Sequence, residues 1–86
     1  MTWDYRILAH KGTNNILFRI HEVYYDERGR LSEYNYEPAI IEGESIDDIL
    51  FDIDSFKRTV NKQILWAGSK FPEPFDYDEW IKNDKQ

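Results

Sequence analysis

Ser45-Ile46-Asp47-Asp48-Ile49-Leu50-Phe51-Asp52-Ile53-Asp54-Ser55-Phe56-Lys57-Arg58-Thr59-Val60-Asn61-Lys62 carries the clearest periodicity in the chain. Ile46, Ile49, Leu50, Ile53, Phe56, Val60 and, just beyond, Ile64 fall at spacings of three and four, which on a helix traces one apolar stripe. Ser45 stands three residues before Asp48, a near relative of the capping box. Asp47 and Asp48 occupy the first turn and Lys57, Arg58 and Lys62 the last turns, as the helix dipole favours. The pattern predicts a long amphipathic helix from Ser45 to Lys62.

Upstream the period changes to two. Trp3, Tyr5, Ile7 and Ala9 alternate with Asp4, Arg6, Leu8 and His10, the signature of a strand. Lys11-Gly12-Thr13-Asn14-Asn15 supplies turn residues, and the β-branched and aromatic run Ile16 to Tyr25 completes a hairpin. In this second strand Phe18, Ile20, Glu22 and Tyr24 share one face and Leu17, Arg19, His21, Val23 and Tyr25 the other; a bulge near His21-Glu22 would switch the last three residues. Asp26-Glu27-Arg28-Gly29 forms a polar turn with Gly29 suited to the left-handed position, and a third strand is expected from Arg30 to about Ile41. Pro38 belongs at its edge or divides it.

After the helix, Ile64-Leu65-Trp66 is a candidate short fourth strand. Gly68 to Phe75, with Pro72 and Pro74, reads as an extended connector, and Asp76 to Gln86 either forms a last turn joining Tyr77, Trp80 and Ile81 or frays. The expected fold class is therefore α+β: a three- to four-stranded antiparallel meander with one long amphipathic helix packed on one face. Residues 1–70 form the single domain, and residues 71–86 are a proline- and aromatic-containing tail, docked or partly disordered.

Composition sets the outer limits. Eighty-six residues with 41% hydrophobic and 16% aromatic content suffice for one core and exclude a second. The chain has no cysteine, which removes disulfides, thiolate metal sites and thiol nucleophiles and fits a reducing compartment. No apolar run approaches the roughly 18 residues of a membrane span, and the start lacks a leader-like pattern, so a cytoplasmic location and no membrane partner are expected. The net charge of −6 lies wholly in residues 37–86, where six bases face twelve acids, while residues 1–36 balance. That excess repels polyanions and disfavours nucleic acid as a partner.

Few residues suggest chemistry. His10, His21 and Glu22 are the one candidate metal or acid–base constellation, yet adjacent strand residues point to opposite faces, so the histidines read as structural or surface residues. Asp47, Asp48, Asp52 and Asp54 read as dipole complementation and a solvated face. No phosphate loop or nucleophile motif is present, so neither an enzyme, nor a cofactor, nor a small-molecule substrate is expected.

The aromatics are more informative. One helix covers one sheet face, while Trp3, Tyr5, Phe18, Tyr24, Tyr25, Tyr34 and Tyr36 must populate both, so Tyr24, Tyr34, Tyr36, Phe75, Tyr77 and Trp80 are the candidate interface residues. The alternative covers the second face with the tail aromatics Phe71, Phe75, Tyr77 and Trp80 and makes the chain a monomer.

The order hairpin, strand, then Gly43-Glu44-Ser45-Ile46-Asp47-Asp48 opening a helix resembles the N-terminal domain of HicB-like antitoxins, in which a strand meander precedes a Gly-acidic-(Ser/Thr)-x-acidic-acidic helix start. Trp3-Asp4-Tyr5-Arg6-Ile7 and His21-Glu22-Val23-Tyr24-Tyr25-Asp26-Glu27-Arg28-Gly29 also look like a group of small uncharacterised bacterial and phage proteins. The resemblance implies a non-catalytic protein-binding domain, often a homo-oligomer, that occludes a partner's surface. The expected function is thus a small protein–protein interaction module, binding another protein or itself as a homodimer. The rival is single-stranded nucleic-acid binding on a sheet face carrying tyrosines, Arg6 and Arg19.

Overall fold

A computed structural model describes residues 2–84; Met1, Lys85 and Gln86, the last two in the expected tail, lie outside the described residues. Strands β1 (Thr2–Lys11) and β2 (Ile16–Tyr25) form the long hairpin, β3 (Leu31–Tyr34) follows, and helix α1 (Ile46–Arg58) runs into a 3-10 turn at Thr59–Asn61. Next come β4 (Leu65–Trp66), a 3-10 turn at Gly68–Lys70 and helix α2 (Tyr77–Asp84). The architecture is α+β, as the periodicities predict, with sheet order β3-β2-β1-β4.

The sheet is not a purely antiparallel meander. β1–β2 and β2–β3 are antiparallel, but β4 pairs parallel to β1 through Leu8 with Leu65 and Ala9 with Trp66. The physical reason is the helix: it carries the chain from the β3 edge to the opposite edge, and a strand entered after such a crossover can run parallel to its neighbour. The helix is also shorter than Ser45 to Lys62, because the i→i−4 ladder gives way to a 3-10 turn at Thr59. β3 ends at Tyr34 instead of Ile41. Beyond it Asn35 N–H donates to Glu22 O (2.9 Å) and Ala39 N–H to Ile20 O (2.8 Å), so the chain still follows β2, looping out at the donorless Pro38.

The hairpin register is continuous from Thr2 opposite Tyr25 to Lys11 opposite Ile16, with no bulge at His21-Glu22. The irregularity falls instead between β2 and β3, at Tyr24/Tyr25. One sheet face therefore carries Leu8, His10, His21, Val23 and Tyr25, and the other Trp3, Tyr5, Ala9, Phe18, Glu22 and Tyr24. On the first face Leu8, Val23 and Leu65 are buried under Tyr25, Leu31, Tyr34, Ala67 and Phe71. On the second, Ala9 and Phe75 are buried, and Phe75 lies edge-on to Phe18 (5.5 Å) and Trp66 (4.9 Å).

The tail owes that position to backbone bonds. Trp66 N–H donates to Glu73 O (2.8 Å) and Phe75 N–H to Ile64 O (2.8 Å), folding the segment with the cis Phe71–Pro72 bond back along β4. α2 then brings Tyr77 and Trp80 within 5.6 and 5.3 Å of Phe18.

The turn after β2 illustrates how local chemistry fixes a corner. Gly29 has φ = 77° and donates to Asp26 O (2.9 Å), while Asp26 Oδ1 accepts from the N–H groups of Arg28 and Arg30. A Cβ at Gly29 meets no atom, so Gly29→Ala is expected to cost only the backbone penalty, about 1 kcal/mol in a urea melt.

Candidate interaction surface

The sequence orients α1 with its apolar stripe on the sheet; the structure turns that stripe outward. No residue of α1 is buried. Ile46 is 77%, Leu50 57%, Phe51 67% and Val60 71% exposed, and Ile53 is 39% exposed. The inward edge is made by Ile49, Asp52, Ser55 and Phe56, with the fully buried Thr59 just after them. At about 100° per residue these centre some 120° around the axis from the line through Ile46, Leu50 and Ile53.

What holds the helix in that orientation is a small set of specific contacts. Phe56 stands edge-on to Tyr5 (5.0 Å), which in turn meets Trp3 (5.1 Å). Lys62 Nζ reaches Asp4 Oδ1 (2.5 Å) and Tyr5 O (3.3 Å), and Arg6 donates to Gln63 O (2.7 Å). Thr59 Oγ1 donates to Phe56 O (2.6 Å), which lets its hydroxyl sit where no water reaches. At the other end Ser45 Oγ accepts from Asp48 N–H (3.1 Å), and Asp48 Oδ2 accepts from Glu44 N–H (3.1 Å). Gly43 is required there, because a Cβ would come within 2.3 Å of Asp48 Cβ.

The molecule exposes more surface than its mass alone warrants. It exposes 6577 Å², against about 5,400 Å² for a compact monomer of 10.4 kDa. Its radius of gyration is 14.0 Å, where about 12 Å is usual for this length.

The six residues expected at an interface do not share one surface. Tyr34 and Tyr36 meet at 5.2 Å, and Tyr36 is 82% exposed, but Tyr34 is half-buried against Phe71 and His21 and its hydroxyl accepts from Gly68 N–H. Phe75 is only 4% exposed, a correction to its place among interface residues: it belongs to this chain's own interior. Tyr77 and the partly buried Trp80 surround Phe18 on the opposite sheet face from Tyr34, and Tyr24 donates its hydroxyl to Glu22. The tyrosines likewise form no single stacking platform, since Tyr5 and Tyr24 lie on one face and Tyr25 and Tyr34 on the other.

Sequence reading missed the outward role of Ile46, Leu50, Ile53 and Val60. The available signals were Phe51, an aromatic off the stripe, and the small or hydrogen-bonding Ser55 and Thr59 on the edge that turned out to pack.

His10 and His21 come together, but as structure. His21 Nδ1 lies 2.7 Å from Asn35 O, so it must donate; its Nε2 then accepts from His10 Nε2–H at 2.9 Å. Glu22 points to the other face, as strand alternation requires. Among the described residues no group of three or more His, Asp or Glu side chains is placed to hold a metal ion. Burial first, then His21, then Arg19 pulls His10 below the ordinary histidine range; burial, with Arg19 adding, pulls His21 down against the opposing Asn35 bond.

Because both folded values lie below 6.5, the unfolded chain binds more protons at mildly acidic pH. Their contribution is complete above about pH 6.5 and is lost as pH falls from there toward the folded values. Urea melts between pH 7.5 and 5 are expected to show stability falling with a slope of up to about 1.4 kcal/mol per pH unit for each proton taken up.

No known protein family, curated protein or solved structure matches the chain.

Proposed function

We propose that the protein is a non-catalytic interaction module whose contact surface is the outward apolar stripe of α1, Ile46, Leu50 and Ile53, continued by Val60 in the 3-10 turn that follows. The observation that carries this reading is the exposure of that stripe on a helix that meets the sheet through Phe56 against Tyr5. A sequence that merely needed a solvated helix would place polar residues there; apolar patches beyond a few hundred Å² on a small domain mark binding surfaces.

The likeness of Gly43 to Asp48 to the helix opening of HicB-like antitoxins supports the same reading, since it implies a domain that works by covering a partner's surface. The capping bonds at Ser45 and Asp48 give those residues a structural role in presenting the helix. Single-stranded nucleic acid is the weaker reading, because Arg6 is engaged with Gln63 O and Tyr25 and the tyrosines are divided between faces.

Hydroxyl-radical oxidation of the dilute protein tests the proposal. Leu50 and Phe51 are expected to react nearly as fast as in urea-unfolded chain, while Leu8 and Phe75 are protected. Protection of Leu50 to the level of Phe75 would show the stripe packed within the chain and would end the proposal.

A further inference from the structure

Outside the α1 stripe, a cleft of about 370 Å³ opens beside the histidine pair, and its lining includes His10, Lys11, Tyr34, Trp66, Ser69 and Lys70. Every polar side chain in that lining can donate a hydrogen bond, and none is acidic. Ion pairs do not neutralise its two lysines. Among the described residues Lys11 and Lys70 form no salt bridge; Lys70 Nζ instead lies over the Trp66 ring at 5.0 Å, which holds the charge at the wall of the cleft. Gly68, at φ = 80°, begins the turn that carries Ser69 and Lys70 there. Its N–H donates to the Tyr34 hydroxyl oxygen (2.8 Å), leaving the phenolic proton to donate in turn.

The histidine pair adds a proton-dependent donor. His10 gives its Nε2–H to His21, whose own Nδ1–H goes to Asn35 O, and His10 Nδ1 has no partner among the described residues. One further proton on the pair, whichever ring holds the charge, leaves a hydrogen on His10 Nδ1. The charged groups around the pair are Arg19 on β2, Lys11 at the end of β1 and Lys70 after β4, all of them cations. From β3 comes the Tyr34 ring, and from Asn35 just beyond it the carbonyl. A proton there gains no counter-charge from these groups; an anion in the cleft supplies one.

We propose that the cleft binds the phosphate group of a small molecule together with one proton on the histidine pair. Two ammonium groups, two hydroxyls and an imidazolium suit a dianion with several acceptor oxygens, and the volume falls within the range of small-molecule sites. A polyanion is disfavoured by the overall charge of −6, which a small ligand feels less.

Sulfate, which stays a dianion across the pH range, is the probe. It is titrated into the full chain at constant ionic strength against chloride and followed by the imidazole proton resonances, with those of His10 assigned through His10→Gln. Saturable binding is expected, about threefold or more tighter at pH 6 than at pH 8 because the bound state holds more protons, and the His10 titration moves to higher pH as sulfate is added. Inorganic phosphate should compete for the same site. Lys11→Gln and Lys70→Gln should each weaken binding about tenfold, while Lys82→Gln, which removes the same charge from α2, leaves it unchanged.

Sulfate that affects His10 no more than chloride does overturns the site. Binding weakened equally by all three lysine substitutions would reflect net charge and overturns it as well. Saturable binding of equal strength at pH 6 and pH 8 overturns the coupling to the histidine pair.

Discussion

Phe75→Ala is expected to lower the unfolding free energy by about 3 to 5 kcal/mol, the range for emptying a buried aromatic site. Among the described residues Phe75 is the largest of the buried apolar side chains, the others being Leu8, Ala9, Val23 and Leu65. Its ring joins Phe18, Trp66 and Trp80, at 5.5, 4.9 and 6.1 Å. Its backbone is bonded as well, with Phe75 N–H donating to Ile64 O and Phe75 O accepting from Gln63 Nε2 (2.9 Å). Truncation would thus loosen α2, the returning tail and β4 together. A chain of this length has roughly 4 to 13 kcal/mol of stability in all, so the substitution removes from about a quarter to all of it. A urea melt followed by tryptophan fluorescence reads this through Trp66 and Trp80, and a loss under about 1 kcal/mol would mean that the tail is not part of the core.

His21→Ala is expected to cost about 2 to 4 kcal/mol at pH 7.5 and to remove most of the acid sensitivity below pH 6.5. His21 is fully buried, so its loss leaves a cavity, deprives Asn35 O of its donor and leaves His10 Nε2–H without its acceptor. The variant and the parent should converge in stability as pH falls, because the parent gives up at low pH what the variant never had. Curves that stayed parallel from pH 7.5 to 5 would remove the histidine pair as the source of the pH dependence. The pair is limited to one extra proton: a charged His21 can donate from Nε2 only if His10 moves its own proton to Nδ1, and a second proton sets two N–H groups face to face.

The parts of this fold that could be read from sequence are those fixed by local rules. Alternation placed His21 and Glu22 on opposite faces, the polar run Lys11 to Asn15 placed the hairpin, and the φ of Gly29 and the Ser45 cap follow from turn and helix-end chemistry. Two other features depended on nonlocal facts. The direction of β4 is set by which sheet edge α1 delivers it to, and a two-residue strand carries no directional signal of its own.

The orientation of α1 was the larger miss, and its reason is physical. An apolar stripe says that a helix needs a partner surface and not whose surface it is. Here the sheet is covered by the chain's own tail through Phe75 and by Tyr34 and Phe71, so Ile46, Leu50, Ile53 and Val60 are left to face out. Phe75 was misplaced among the interface residues for the complementary reason: sequence shows that it must be buried, not that the chain itself will bury it.

The outward stripe is tested most sharply by the stability of Leu50→Asp, measured by urea unfolding at concentrations where both it and the parent sediment as monomers. An exposed Leu50 predicts a change within about 0.5 kcal/mol. A loss of about 3 kcal/mol or more, the cost of placing an unpaired charge in a core, would show that α1 packs its stripe against this chain's own sheet and would contradict its outward orientation.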